Sequence, residues 1–190
     1  MRTPVELPKA YRLLNHGPTV LVSAAHEGRR NVMAAAWAMP LDFDPPKVAV
    51  VIDKSTFTRG LIEGSGAFTL SVPCRAQADL VFTLGTLSGR DLDKADRLPL
   101  DLIDGTATPA PLVGGCVGWL ECRLLPEPSV QARYDLFLGE VVAAWADDRV
   151  FRQGRWHVEP GDDALRTLHH MAGGAFLSAS DPMQAQLLPT

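Results

Sequence analysis

The sequence has few cysteines, no block of basic residues and no long hydrophobic run. Its three cysteines, Cys74, Cys116 and Cys122, are odd in number and lack a CxxC spacing, which argues against a disulfide framework and against a zinc site. The 18 Lys and Arg residues against 22 Asp and Glu give a formal charge of −4, so a nucleic-acid partner is not expected. No apolar stretch is long enough to cross a bilayer, and residues 1–17 lack the apolar core of a signal peptide. We therefore expect a cytoplasmic protein with no membrane partner.

Familiar catalytic motifs are also missing. The sequence contains no GxSxG elbow and no Walker loop. Residues 64–66, GSG, begin like a dinucleotide fingerprint, but Thr69 occupies the position of the third glycine. His169 and His170 are adjacent, so their side chains diverge on any regular element and do not meet on one metal ion. We predict no metal site and no side chain that acts as the catalyst.

The chain does contain a series of short β-rich segments bounded by proline and glycine. Six strands are predicted, over residues 18–25, 31–38, 47–52, 67–72, 117–125 and 134–146. Two short helices are predicted, one from Ser55 or Thr56 to about Glu63 and one over residues 76–82. This pattern is typical of a mainly β fold, specifically a closed or partly closed antiparallel barrel with a few short helices. We expect one domain over residues 1–190, with 1–17 as an N-terminal extension and 177–190 as a C-terminal tail.

Local patterns give finer expectations. Residues 26–30, HEGRR, are a polar turn with a glycine, which predicts a hairpin between the first two strands. Gly64 is the predicted left-handed residue that ends the first helix. Alternation along residues 120–124 predicts that Leu120 faces the core and Glu121 faces water. Residues 101–116 are so rich in glycine and proline that we expect a long surface connection.

Residues 53–60, DKSTFTRG, place hydroxyls, cations and free backbone N–H groups at the mouth of a helix directly after a strand. A phosphate dianion favours this arrangement, because helix-terminal amides, the helix dipole and cationic side chains all attract negative charge. The residues concerned are Asp53, Lys54, Ser55, Thr56, Thr58 and Arg59. An ordinary capped helix has the same composition, so this segment alone leaves both interpretations open.

A second polar loop, residues 87–96, contains Ser88, Gly89 and Lys94. In isolation it is typical of a solvated turn that binds nothing. Together with residues 53–60, it could provide donors and a cation for the rest of a nucleotide.

The segment NVMAAAW, residues 31–37, combines one Asn, three small residues and one Trp. Ala34, Ala35 and Ala36 would allow a flat ring to approach the backbone closely, and Asn31 offers a donor and an acceptor to atoms on the ring edge. Trp37 could flank such a ring. A tightly packed core strand would show the same residues, and the two interpretations do not exclude each other.

Five segments follow one another along the chain: Asn-x-x-x-x-x-Trp, Asp-Pro-Pro, the Thr-bearing turn, GAFTLSVP and the loop SGRDLDK. With this ordered series, the chain resembles the flavin reductase-like family of FMN-binding split barrels. That family includes flavoredoxins and NAD(P)H:flavin oxidoreductases. The resemblance extends from about Pro18 to Phe176. It implies a dimerising split β-barrel that binds FMN non-covalently near the subunit interface.

The resemblance also implies roles for individual residues. Asn31 and the backbone of Ala34, Ala35, Ala36 and Trp37 would face the isoalloxazine ring. The ribityl chain and phosphate would be surrounded by Asp53, Lys54, Ser55, Thr56, Thr58 and Arg59, and the pocket completed by Ser88, Gly89 and Lys94. On the substrate side, Tyr134 occupies a position where many relatives have a histidine, and His169 or His170 would approach the flavin.

The function implied is an FMN-dependent oxidoreductase that passes electrons from NADH or NADPH to a flavin or another acceptor. FMN would supply the redox chemistry, so no general acid or base is required from the protein. One alternative is a flavoredoxin-type electron carrier that is reduced by a protein partner. Another is a structural relative that has lost its flavin. The partners expected are small-molecule electron donors and acceptors, a second copy of the chain, and a monooxygenase or an electron-transfer protein.

Overall fold

One large antiparallel sheet dominates the structure, a computed structural model that describes residues 1–188. Its strands are β1 (Arg2–Pro4), β2 (Val20–His26), β3 (Arg29–Ala35), β4 (Ala38–Phe43), β5 (Pro46–Val51), β6 (Ala67–Val72), β9 (Gly118–Leu125) and β10 (Leu136–Asp147). The strand order is β3-β2-β6-β9-β10-β5-β4, and β1 pairs with the last residues of β10. The prediction of a mainly β antiparallel fold is therefore confirmed.

Smaller elements surround this sheet. Three two-stranded hairpins are formed by β7 (Leu102–Ile103) with β8 (Leu112–Val113), β11 (Phe151–Arg152) with β12 (Arg155–Trp156), and β13 (Leu168–Ala172) with β14 (Ala175–Ser178). The α-helices are α1 (Phe57–Ser65), α2 (Ala78–Thr86), α3 (Lys94–Arg97) and α4 (Pro128–Tyr134), and short 3₁₀ helices cover Leu7–Leu13, Arg75–Gln77 and Asp163–Leu165. No helix among residues 1–188 is both long enough and apolar enough to cross a membrane.

The interior of the sheet is filled by side chains. All six residues of β6 are buried, and Phe68 and Phe137 are among the largest side chains with no exposed surface. Gly139 in β10 makes room for the Phe68 ring, because a Cβ atom at position 139 would lie 2.5 Å from Phe68 Cζ. Among residues 1–188, the centre of the barrel is therefore filled by side chains.

The predicted hairpin between β2 and β3 is confirmed. Its turn residues, Glu27 and Gly28, both have positive φ, at 48° and 74°. This is the backbone geometry of the turns that match the twist of an antiparallel pair. The turn places Arg29 and Arg30 at the start of β3.

Several predicted boundaries are corrected. The second predicted strand ends at Ala35, and β4 begins at Ala38 as a separate edge strand that pairs with β5. The strand predicted to begin at Tyr134 begins at Leu136, because residues 128–134 form α4. The N-terminal segment 1–17 joins the fold through β1 and through buried Leu13. The predicted tail, 177–190, begins inside β14, and its last two residues lie outside the described part of the chain.

We predicted that helix α1 would end at Gly64, and this prediction is wrong. The helix continues to Ser65, and Gly66 is the left-handed residue, with φ 68° and its N–H donated to Ile62 O. Gly64 serves a different purpose, since a Cβ at this position would lie 2.4 Å from His26 Cδ2. The absence of a side chain at position 64 allows α1 to pack directly on the His26 side chain of β2.

Glu121 was predicted to face water, but it is fully buried. Its Oε2 accepts N–H bonds from Ala107 at 2.7 Å, Thr106 at 2.9 Å and Thr108 at 3.0 Å, and Trp145 Nε1 donates to Oε1 at 3.2 Å. Burial opposes ionisation, but these hydrogen bonds outweigh it and hold the pKa of Glu121 below its usual value. The carboxylate thereby holds residues 106–108 in place. The prediction that residues 101–116 form a surface connection is wrong for residues 110–114, which are buried.

Candidate functional site

A continuous cleft runs along the outside of the barrel beside strand β3. Its walls are β3, the N-terminal end of α1, and the segment that leaves the end of α2. A polar part of about 180 Å³ and an apolar part of about 160 Å³ both border on Ala34, Gly85 and Thr86. The two parts are therefore neighbours that share these three residues as their boundary.

The floor of the polar part is a buried hydrogen bond between Asn31 and Thr58. Asn31 Nδ2 donates to Thr58 Oγ1 at 2.8 Å, although the residues are 27 positions apart. Gly89 lies directly above, where a Cβ would be 2.4 Å from Asn31 Oδ1. Residue 89 must therefore be glycine for the loop to close over this floor. Ser88 in the same loop also lines the cleft.

Lys94 contributes a buried positive charge to this end of the cleft. The residue is 2% exposed, and its Nζ donates to Val32 O and to Leu84 O, each at 2.8 Å. Burial lowers the pKa of Lys94 to about 8, with no carboxylate to oppose the effect. Two of the three ammonium protons are used by these carbonyls, which leaves one donor and an unbalanced charge beside the cleft.

The N-terminal end of α1 is not capped by a side chain. Thr56 occupies the N-cap position, as predicted, but its hydroxyl donates to Asp53 O at 2.8 Å and leaves the first helical N–H groups without a side-chain acceptor. Asp53 Oδ1 instead accepts from the backbone N–H and the hydroxyl of Ser55, at 2.7 and 2.5 Å. These hydrogen bonds lower the pKa of Asp53 and fix the turn, with Ser55 and Thr56 facing the cleft.

The apolar part of the cleft lies beside Ala35 and Ala36. Val81 and Phe82 of α2 form one side, and the hairpin β13–β14 contributes His170 and Phe176, whose rings are 5.3 Å apart. The His170 backbone N–H donates to Thr19 Oγ1 at 2.9 Å, which anchors the hairpin to the strand system. The cleft as a whole therefore has one cationic, donor-rich end and one flat apolar end.

The structure brings together most of the predicted cofactor residues and alters the place of some. Asn31, Ser55, Thr56, Thr58, Ser88, Gly89 and Lys94 line the polar part; Ala35 and Ala36 line the apolar part, and Ala34 lines both. Asn31 lies in the polar part beside Thr58, and its predicted contact with the ring stays a prediction. Lys94 lies beneath the cleft and not on its rim.

Other predicted residues lie outside the cleft. Arg59 points away from it, because Glu63, Asp135 and Gln131 O accept its donors at 2.9, 2.5 and 3.1 Å. Lys54 is exposed and lines neither part. Asp53 acts on the turn and not on the cleft surface.

The predicted aromatic residues lie in different places. Trp37 is 74% exposed and Tyr134 is 58% exposed, and neither borders the cleft within this chain. His169 projects from β13 on the side opposite His170, where its Nδ1 lies 3.0 Å from Gly17 O. Of the adjacent histidines, only His170 faces the cleft.

The amino-acid sequence of residues 12–169 matches the family described as "Flavin reductase like domain". The chain belongs to the flavin reductase-like family. The Escherichia coli protein YddH is 49% identical over 185 residues, covering 96% of this chain and 97% of that protein. The resemblance predicted from the sequence is confirmed.

Solved structures of flavin reductase-like proteins have the same fold. An FMN-binding domain of a flavin reductase-like enzyme from Shewanella baltica is 48% identical, with a TM-score of 0.93 and coverage of 98% of both chains. Flavoredoxin of Desulfovibrio vulgaris is 27% identical, with a TM-score of 0.76, covering 89% of this chain and 90% of that one. The predicted fold class, an FMN-binding split barrel, is confirmed.

The cleft fits FMN by its own chemistry. A buried ammonium without a counter-charge and an uncapped helix N-terminus both favour an anion at the polar end. Gly85 packs closely on Ala34, since a Cβ at position 85 would lie only 3.3 Å from Ala34 Cβ, and both residues border the two parts of the cleft. The apolar end between Phe82, Phe176 and the β3 backbone suits a flat ring.

Sequence reasoning missed one wall of this cleft. Residues 84–87 at the end of α2 line the polar part, and Thr19, Val81, Phe82 and Phe176 line the apolar part. The signal available was Gly85, an isolated glycine inside a helical segment that leads directly into the predicted Ser88-Gly89 loop.

Proposed function

We propose that this protein is an FMN-dependent oxidoreductase that uses NADH or NADPH to reduce a flavin or another acceptor. The observation that supports the cofactor assignment best is the unbalanced Lys94 charge at the end of an otherwise neutral cleft. An FMN phosphate placed there would receive donors from the Ser88 hydroxyl and the first N–H groups of α1. When bound, FMN supplies the hydride and electron chemistry.

The chain's own residues would position the ring and leave it accessible. Ala35 and Ala36 would lie against one part of the ring, while Phe82 and Phe176 exclude water from its apolar edge. His170 would stand at the open side, where a nicotinamide or an acceptor arrives. Because no side chain in this region has a partner that would activate it as an acid or base, binding and orientation are the protein's contribution.

The experiment that tests the proposal is an absorption spectrum of the purified protein after FMN is added and excess is removed. NADH and then NADPH are added without oxygen. Retained flavin bands that bleach with one nucleotide would support the reductase and identify its donor. Protein that retains no flavin would overturn the cofactor assignment.

A flavoredoxin-type electron carrier is the second candidate, supported by the similarity to the Desulfovibrio flavoredoxin. In that case the flavin bands would persist with both nucleotides and bleach with dithionite or with a reduced ferredoxin-type protein. The same cuvette therefore separates the two functions.

A variant tests the placement of the phosphate. Thr58→Val removes the hydroxyl that pairs with Asn31 and should weaken FMN at least about fivefold more than riboflavin, because the lost polar contacts serve the phosphate end. Thr83→Val is the matched control, since the Thr83 hydroxyl bonds within α2 to Asp79 O, outside the cleft. Equal weakening of both ligands by Thr58→Val would place the phosphate elsewhere.

The proposed assembly is a homodimer with the flavin near the subunit interface. The exposed edge strand β4 supports this, because Met39, Leu41 and Phe43 form an apolar ridge on one face and Trp37 precedes them. Such a ridge on an edge strand is a surface that proteins normally cover. Light scattering after gel filtration should give the mass of two chains, and Phe43→Glu should shift it toward one chain. A wild-type mass of one chain would contradict the proposal.

A further inference from the structure

A separate pocket, the Trp156 pocket, lies at the base of the β13–β14 hairpin, on the side to which His169 points. It measures about 200 Å³, and none of the described residues that line it borders either part of the cleft. Thr167 and Ala179 form one side, and their backbones are joined by a hydrogen bond from Ala179 N to Thr167 O at 2.9 Å. A ligand in this pocket would therefore leave the flavin cleft free.

Most of the pocket wall is apolar. The Trp156 ring is fixed by its Nε1, which donates to Arg12 O at 2.9 Å, and by edge-on contacts with the rings of Phe151 and His16, at 5.2 and 5.0 Å between centroids. The other apolar side chains of the wall are Val150, Val158, Leu165 and Pro182. Since an apolar cavity of about 150 Å³ is large enough to bind benzene, the pocket has room for one aromatic ring with a small substituent.

The pocket offers no cation to an anionic ligand. Arg166 lines it, but its guanidinium already donates to two carboxylates and one carbonyl, at 2.7, 2.6 and 3.1 Å, which belong to Asp163, Asp181 and Ala179. His16 is neutral at pH 7, because partial removal from water lowers its pKa to about 4. A carboxylate or phosphate ligand would therefore find no partner for its charge.

One acceptor in the pocket has no partner. The Asp162 carboxylate is half-buried and forms no ion pair within residues 1–188. The Asp162 backbone is fixed, because its N–H donates to Glu159 O at 3.1 Å and its carbonyl accepts from Leu165 N at 2.9 Å. An ionised carboxylate only accepts hydrogen bonds, so a ligand that satisfies it must carry an O–H or N–H donor.

We infer that the Trp156 pocket binds a small molecule with one aromatic ring and a hydrogen-bond donor, that is, a phenol or an aromatic amine. The ring would pack against Trp156 and Leu165, and its donor would bond to Asp162. This site is additional to the proposed oxidoreductase function and does not rest on it.

The test measures the binding of phenol, anisole and benzoate to the full chain by isothermal titration calorimetry, with and without FMN. One phenol should bind per chain with a Kd below about 1 mM, and FMN should not change that value. Anisole is similar in size but has no donor, so it should bind at least about fivefold more weakly. Benzoate should not bind, because its charge would face Asp162.

Two variants locate the bound ring. Ala179→Phe fills the pocket and should abolish phenol binding. Ala175→Phe is the matched control, because it places the same ring on an exposed position of β14, outside the pocket and the cleft, and should leave phenol affinity unchanged. Asp162→Asn should weaken phenol about fivefold and leave anisole unchanged, and it tests the site even if Ala179→Phe does not fold.

The outcomes separate this inference from the proposed function. Phenol binding by protein that retains no flavin would support the pocket while the cofactor assignment fails. Absence of phenol binding, equal affinities for phenol and anisole, or unchanged phenol affinity in a folded Ala179→Phe variant would overturn the inference. Displacement of phenol by FMN would place phenol in the cleft and would overturn it as well.

Discussion

The substitution Lys94→Met should stabilise the protein near neutral pH and destabilise it at alkaline pH. A fall in the pKa of Lys94 from 10.5 to about 8 corresponds to roughly 3 kcal/mol against the charged form in the folded, flavin-free protein. That penalty is fully present below pH 8 and disappears as the pH rises toward 10.5, because the neutral amine no longer resists burial. Methionine removes the penalty but leaves the carbonyls of Val32 and Leu84 without this donor, at about 1 kcal/mol each.

Wild type should therefore be about 1 kcal/mol less stable than Lys94→Met at pH 7.5 and about 2 kcal/mol more stable at pH 10.5. Urea unfolding followed by circular dichroism at both pH values measures the two differences. Lys54→Met is the control, because it removes an exposed ammonium near the same cleft, and its difference from wild type should not change with pH. A stability difference between wild type and Lys94→Met that is independent of pH would refute the reasoning about the buried charge.

Two further changes test packing that holds the fold around the cleft. Glu121→Gln should lower the free energy of unfolding by about 2 kcal/mol, because an amide N–H₂ would meet N–H donors where the carboxylate now accepts. Arg123→Gln on the same strand is the control and should change the free energy of unfolding by no more than about 0.5 kcal/mol. Thermal melts compare the two variants with wild type. Gly64→Ala should lower the free energy of unfolding by about 2 kcal/mol through the clash with His26. Gly60→Ala in the same helix is the control, because its Cβ meets open space and should not destabilise the protein. If the double variant Gly64→Ala/His26→Ala does not regain most of the lost stability, the clash is not the cause.

The features that sequence predicted well depend on neighbours along the chain. The β2–β3 hairpin follows from the polar turn around Gly28, and the start of α1 follows from the hydroxyl residues before Phe57. The Ser88-Gly89 loop was assigned to the cleft for the same kind of reason, since a short polar segment can be recognised without knowledge of the rest of the fold.

The features that failed depend on partners far away in the sequence. Arg59 was expected at a phosphate, but its partner Asp135 is 76 residues distant and directly follows α4, a helix whose last residue was predicted as part of a strand. Glu121 alternates with core residues as a solvent-facing position would, and its donors come from residues 106–108 and from Trp145, which are distant in the sequence. Adjacency correctly predicted that His169 and His170 diverge, but their spacing alone could not reveal which of them faces the cleft.

The packed centre of the barrel separates folding from ligand choice. Phe68, lying across Gly139, closes the interior, so every flavin-facing group proposed for this protein stands on the outer wall. Side chains of the cleft can therefore be exchanged without repacking the barrel. Substitutions in the hairpins and loops around the barrel should therefore alter ligand binding with little effect on the stability of the fold.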